Sequence, residues 1–150
     1  MIPTFNSDGN LPPGVHWATW QEFVHRFGTT QHRLEIIRGL KIALDSLRSA
    51  GCSTVYIDGS FVTKKLAPGD FDACWDANGV NTDFLYSLDP ILFKFDNKRA
   101  AQKVKYLGEL FPAQGSADIA GRTFLEFFQT ERDGNPKGIV AIDLRGGSQP

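Results

Sequence analysis

The 150-residue sequence predicts a single α/β (α+β) domain, a mixed sheet of about four or five strands with helices on one face. Three observations carry that expectation. Leu34, Ile37, Leu40, Leu44 and Leu47 recur at helical spacing and lead straight into a short β-type run at 54–57. That run breaks at Gly59-Ser60, crosses a loop containing Lys64, Lys65, Pro68 and Gly69, and becomes extended again at Asp70-Phe71-Asp72. Two further extended runs, 123–129 and 138–144, flank the turn formers of 131–137, which is the pattern of a hairpin with a long loop.

Taken in order, residues 1–16, with Leu11-Pro12-Pro13-Gly14, read as an irregular arm laid over the surface. Thr19-Trp20-Gln21-Glu22 has the Thr-x-x-Glu form of a capping box and opens a short helix over 20–27, with Trp20, Phe23, Val24 and Phe27 as its core side and Gly28 as its end. A second helix starts after Thr29 or Thr30 and runs to about Ala50, with Gly51 as its C-terminal glycine. Its polar face carries Arg33, Arg38, Lys41 and Arg48, read as mostly solvated, with Arg33 or Arg38 as alternative contacts to a phosphate. Residues 76–82 form a loop, 83–88 a short helix stopping before Pro90, and 91–95 an apolar run that fits either a strand or a helical turn. Residues 97–111 read as a helix whose buried side holds Ala100, Ala101, Val104, Leu107 and Leu110 or Phe111, stopped by Pro112. Lys98, Arg99, Lys103 and Lys105 make it the densest positive stretch of the chain. The segment 113–122 is a small polar loop in which Asp118 is a weak ligand candidate.

Composition sets outer bounds. A chain of this length buries roughly 70% of its unfolded surface, enough for a real core. With 41% apolar and 22% charged residues it is ordinary for a globular protein, and twelve phenylalanines with three tryptophans point to an aromatic core. The formal charge of −1 argues against an extended nucleic-acid grip, which needs clustered Lys and Arg. Cys52 and Cys74 have no metal-ligand spacing and read as reduced, packed thiols, with Cys74 sharing the face of Asp72. His16, His25 and His32 form no ligand pair. No signal peptide or apolar membrane span is apparent, so the expectation is a soluble, cytoplasmic protein.

The chemistry is concentrated at 55–76. In a strand, residues i and i+2 share a face about 6.5–7 Å apart, so Asp70 and Asp72 project together while Phe71 turns inward. Two like charges held this close repel, and a divalent cation between them removes that cost. Mg²⁺ suits such a pair, since it takes one or two carboxylates and completes its shell with water and substrate phosphates; Mn²⁺ is the alternative. Gly59 permits a sharp turn and close approach of phosphate oxygens, and Ser60 adds a hydroxyl and an N–H. Lys64, with Lys65 beside it, and Lys103, or Arg99 a turn earlier, are candidate nucleotide-binding cations, with a solvated surface as the alternative reading. Asp-Gly-Ser and Pro-Gly-Asp are also ordinary turn sequences, which is the structural alternative for this stretch.

With Gly59-Ser60, an intervening loop, and Asp70-Phe71-Asp72, the chain resembles the nucleotidyltransferase superfamily that includes DNA polymerase β. The resemblance covers about a tenth of the chain, and Asp58 departs from it, since the family usually has an apolar residue before the glycine. It implies a polymerase-β-like fold in which Asp70 and Asp72 bind metal, and a third carboxylate sits in an apolar-Asp-apolar setting on a neighbouring strand. Asp143, between Ile142 and Leu144, is the expected third ligand, with Glu126 as a lesser alternative. The longer pattern, from Leu-Pro-Pro-Gly near the start to Gly-Ile-Val-Ala-Ile-Asp-Leu at the end, also resembles a family of small bacterial and phage proteins and suggests a complete chain.

The implied activity is transfer of a nucleoside monophosphate from a nucleoside triphosphate to a protein hydroxyl, an RNA 3′ end or a small molecule. The alternative is a catalytically silent protein of the same fold acting as antitoxin, sensor or defence-system partner, bound to a toxin or other protein. A metal-dependent phosphodiesterase is a weaker third reading, because the His-Asp clusters of such enzymes are missing.

Overall fold

The computed structural model describes residues 1–145. Ten helices and strands follow one another as β1 (Gly14–Ala18), α1 (Trp20–Phe27), α2 (Gln31–Ser49), β2 (Thr54–Asp58), β3 (Phe71–Trp75), α3 (Thr82–Leu88), α4 (Asp96–Tyr106), β4 (Gly108–Pro112), α5 (Phe124–Phe128) and β5 (Gly138–Asp143). Short 3₁₀ turns occupy Ser60–Val62 and Pro90–Phe93. The strands form one mixed sheet in the order β1-β5-β2-β3-β4. Its two central pairings, β5 with β2 and β2 with β3, are antiparallel, and its outer pairings, β1 with β5 and β3 with β4, are parallel.

Strand alternation divides the molecule into two layers. Val55, Ile57, Phe71, Ala73, Leu110, Val140 and Ile142 point to one face and meet Phe23, Phe27, Leu40, Leu44 and Tyr106 from the helices in the main core. The opposite face carries Tyr56, Cys74 and Phe111, covered by Phe124, Leu125 and Phe128 of α5. Helices α2 and α4 therefore share a face as expected, while the second face is partly roofed by α5 where an open face was anticipated.

The N-terminal half follows the sequence signals closely. Thr19 and Glu22 complete the reciprocal capping box at α1, and the Thr30 side chain caps α2 by accepting from Arg33 N. Three expectations need correction. The arm ends at residue 13, because Gly14–Ala18 adds a parallel edge strand to β5. The helix expected over 97–111 stops at Tyr106; Asn97, Lys98 and Arg99 are left-handed, Leu107 caps the helix at φ 63°, and Gly108–Pro112 becomes β4. The reason is tertiary: the parallel ladder with β3 satisfies that backbone and buries Leu110, and the buried Gln102 side chain accepts from Leu110 N. Residues 123–129 are centred on helix α5, started by a second Thr-x-x-Glu capping box from Thr123 and Glu126, so the anticipated hairpin does not form. The ambiguous run at 91–95 begins within the 3₁₀ turn.

Helices α2 and α4 approach at Gly39. A Cβ there would lie 1.9 Å from the Tyr106 carbonyl oxygen, which is backbone and has no rotamer to escape into. Helix propensity alone favours Gly39→Ala by roughly 1 kcal/mol. Overpacking opposes it, and we expect a net loss of about 2 kcal/mol, a fall in Tm of roughly 4–8 °C. A thermal melt of the variant checks this, and an unchanged or raised Tm would show that the helices part without cost. The same junction holds buried Asp89, which accepts from Ser46 Oγ at 2.8 Å, Lys105 Nζ at 2.7 Å and the Tyr106 hydroxyl. Among the described residues, no helix is long and apolar enough to cross a membrane.

Candidate functional site

Strand β2 delivers the chain to Gly59, whose φ of 79° and ψ of −168° lie in a region that only glycine adopts readily. The conformation coincides with close packing, since a Cβ at Gly59 would sit 2.5 Å from Asp72 Oδ2. Glycine therefore serves both the turn and the carboxylate beside it. Ser60 then opens the 3₁₀ turn, its carbonyl accepting from Thr63 N at 3.2 Å and Thr63 Oγ1 at 2.6 Å.

Register places three carboxylates in a row across the sheet. Asp58 on β2 faces Asp72 on β3, and Asp72 faces Glu109 on β4. Directly paired residues share a face with Cβ atoms about 4.5–5.5 Å apart, so the row is contiguous. Asp70 stands just before β3, and its charge acts on Asp72 more strongly than those of Glu109 and Asp58. Burial, then these three like charges, push Asp72 up to about 7. Burial raises Asp58 to about 6, against the opposing pull of Lys137. Lys137 Nζ lies 3.4 Å from Asp58 Oδ1, an ion pair without a hydrogen bond, so that buried oxygen has no hydrogen-bond partner. On the far side Lys103 Nζ lies 3.5 Å from Glu109 Oε1.

Asp58 and Asp72 of the row line one hollow, and Asp70 lines another. One, about 570 Å³, lies between the sheet and the segment carrying α5, and includes Asp58, Gly59, Asp72, Arg122, Arg132 and Lys137 in its wall. The other, about 320 Å³, is bounded by His32, Glu35, Asp70 and Lys103 from the helical side.

Of the residues singled out from the sequence, Gly59, Ser60, Asp70, Asp72 and Lys103 fall at or beside this row. Asp143 does not. It pairs with Thr54 at the opposite end of β2 from Asp58, a separation of roughly 13 Å along the strand, and its carboxylate is engaged by Arg145 at 3.2 Å. The third position beside Asp72 belongs to Glu109, which was hidden inside an expected helix. Its signal was Gly108 and Pro112 bracketing an alternating Glu-Leu-Phe run. Glu126 is held in its capping box and Asp118 by Arg122 at 2.7 Å. Lys64 packs near Gly9 and borders a different hollow with Phe5, Arg26 and Arg33. Arg33 is buried and donates to backbone carbonyls. Cys74 shares the acidic face but is fully buried beneath Phe128, and burial pushes its thiol up. Asp58, the departure from the motif, and Lys137 in the turn-rich loop enter the site unforeseen.

The donor set suits a hard divalent ion. Asp70, Asp72 and Glu109 offer only carboxylate oxygens, and the mutual repulsion that raises Asp72 is the cost a cation removes. Among the described residues no three His, Cys, Asp or Glu side chains are already gathered as a metal-ligating cluster. The fit is therefore one of chemistry and charge, with part of the shell left to water and phosphate, as is usual for Mg²⁺.

No curated protein and no solved structure matches the chain. Residues 3–143 match a family of unknown function, DUF6932, and the chain belongs to that family.

Proposed function

We propose that the chain is a metal-dependent nucleotidyltransferase. The observation that supports this best is the register of Asp58, Asp72 and Glu109 across three adjacent strands, directly beside the glycine turn at Gly59-Ser60. Asp70, Asp72 and Glu109 are the residues that would hold Mg²⁺ or Mn²⁺. When bound, the metal supplies charge neutralisation on the phosphate oxygens and lowers the pKa of the acceptor hydroxyl. The glycine turn brings backbone close to the nucleotide phosphates, and Ser60 adds a hydroxyl there. The acceptor oxygen bonds to the α-phosphorus, the bond from that phosphorus to the bridging oxygen breaks, and the electron pair leaves with pyrophosphate while the hydroxyl proton passes to solvent. The acceptor would be a hydroxyl on a protein, an RNA end or a small molecule.

The test is thermal stability of the full chain with each of the four ribonucleoside triphosphates, in Mg²⁺, Mn²⁺ or EDTA. A ligand at 100 times its Kd stabilises by about 2.7 kcal/mol, a rise of roughly 5–10 °C at this size. The expected result is a metal-dependent rise with at least one nucleotide, followed by labelled transfer to an acceptor. No rise with any nucleotide overturns the reading and favours a silent partner protein; a rise without transfer to any acceptor class favours a nucleotide sensor.

A further inference from the structure

The larger hollow, on the α5 side of the sheet, has a buried acceptor in its wall that nothing satisfies. Asp58 is 3% exposed, and its Oδ1 has no hydrogen-bond partner among the described residues. A buried carboxylate oxygen in that state calls for a donor or a cation. Asp72, directly opposite on β3, lines the same hollow and makes no hydrogen bond or ion pair among the described residues. The other charged groups of the wall leave this pair unmet. Glu131 accepts from Asn10 Nδ2 at 2.8 Å, Arg122 is paired with Asp118, and Arg132 is exposed. Lys137 Nζ stands 3.4 Å from Asp58 Oδ1, close enough for attraction but without a hydrogen bond. One ammonium therefore faces two carboxylates.

We propose that Asp58 and Asp72 form a divalent-cation site on the α5 side of the sheet, and that Lys137 is the group the ion displaces. Paired residues on adjacent strands carry Cβ atoms about 4.5–5.5 Å apart, and two oxygens in one octahedral Mg²⁺ or Mn²⁺ shell lie about 3–4 Å apart, so one ion spans the pair. Gly59 keeps the approach open, because a Cβ there would lie 2.5 Å from Asp72 Oδ2. Water from the hollow completes the shell, as is usual for these ions. Lys137 is suited to yield, since its side chain is 23% exposed and Asp58 is its one ion-pair partner among the described residues. A dication between the carboxylates removes the repulsion that an ammonium at one end only partly offsets. In the superfamily the chain resembles, an apolar residue usually precedes the glycine, so Asp58 lies outside the metal set of that motif, and Asp70 opens on the other hollow. Only Asp72 is shared with the metal position of the transfer reading, and binding here needs neither nucleotide nor transfer. Once displaced, Lys137 no longer ties the loop between α5 and β5 to β2.

The experiment is calorimetric titration of the full chain with Mn²⁺ in the absence of nucleotide. Wild type is expected to bind the ion, and Asp58→Asn to bind it more weakly by about tenfold or more. Lys137→Gln removes the competing charge and should tighten binding by about tenfold. In the Asp58→Asn background the same lysine change should have little effect, because the ligand it competes for is gone. That paired variant leaves no buried charge unmatched, so it carries the test even where a single variant unfolds. Arg132→Gln, the like change on the exposed cation of the same wall, should shift affinity far less than Lys137→Gln. Absence of Mn²⁺ binding by wild type, wild-type affinity in the paired variant, or unchanged or weaker binding by Lys137→Gln overturns the proposal. The two readings fail separately. Mn²⁺ binding lost in Glu109→Gln but kept in the paired variant assigns the ion to Asp70, Asp72 and Glu109, which removes this site and leaves transfer standing. Binding through Asp58 without any nucleotide-induced rise in Tm keeps this site and removes transfer.

Discussion

Asp72→Asn is expected to abolish metal-dependent transfer and, at the same time, to make the protein more stable at neutral and alkaline pH. The two effects have one cause. Asp72 is pushed up to about 7 by burial and by the charges of Asp70, Glu109 and Asp58, against an ordinary value of 3.8. The folded state therefore holds this proton between about pH 4 and 7, where the unfolded chain has released it. Because the folded state binds more protons there, stability falls as pH rises: the contribution is fully present below 3.8 and is lost as pH climbs through about 7. Asp58, raised by burial to about 6, adds a slope of the same sign over a narrower window. Asparagine keeps the shape and cannot ionise, so it removes most of the slope. The gain at pH 8 is on the order of 2–3 kcal/mol, roughly 5–10 °C in Tm, and it should vanish near pH 4. Melting both proteins from pH 4 to 8 in EDTA checks this; parallel curves would show that Asp72 carries no such penalty. Added Mg²⁺ should narrow the gap by stabilising only the wild type. Loss of activity with gain of stability is what a carboxylate held for metal and not for folding produces.

Much of the fold was legible because local signals and tertiary structure agreed in the first half of the chain. The capping box at Thr19, the leucine spacing of α2 and the break at Gly59 each act within a few residues, and each element appeared where expected. The second half was misread where a partner decided the outcome. Residues 108–111 have no strong preference of their own, and it is the free edge of β3 that draws them into a strand. Residues 123–129 read as an extended run beside a turn-rich segment, although Thr123-Phe-Leu-Glu126 repeats the cap signal of Thr19. That cap starts the helix that roofs the second layer, next to the loop bearing Lys137. Asp70 and Asp72 stand out from spacing alone, although they line different hollows, whereas the neighbours of Asp72 depend on register across three strands. Asp143 has the local setting of a third ligand, yet pairing with Thr54 carries it to the wrong end of β2.

Arg33 shows how a residue with the chemistry of a phosphate contact can serve the site by another route. Its buried guanidinium donates from Nη1 to the carbonyls of Phe27 at 3.3 Å and Phe61 at 2.8 Å, and from Nη2 to those of Thr63 at 3.1 Å and Lys65. It also lies 4.8 Å from the centre of the Phe61 ring. Burial pulls its pKa down, and this ring of carbonyls solvates the charge that a guanidinium keeps. The hub fastens α2 to the segment that follows the Gly59-Ser60 turn. Arg33→Met fills similar space but deprives four carbonyls of a donor, and we expect a loss of roughly 3–5 kcal/mol, about 8–15 °C in Tm, without any nucleotide present. Arg33→Lys should lose nearly as much, because a point charge with three donors cannot span carbonyls that a planar fork reaches together. If Arg33 instead acted on phosphate, both variants would melt with the wild type and differ only in the shift that nucleotide produces. Melting the three proteins first in EDTA and then with Mg²⁺ and nucleotide separates these cases. Equal melting in EDTA would dismiss the hub and return Arg33 to the site itself.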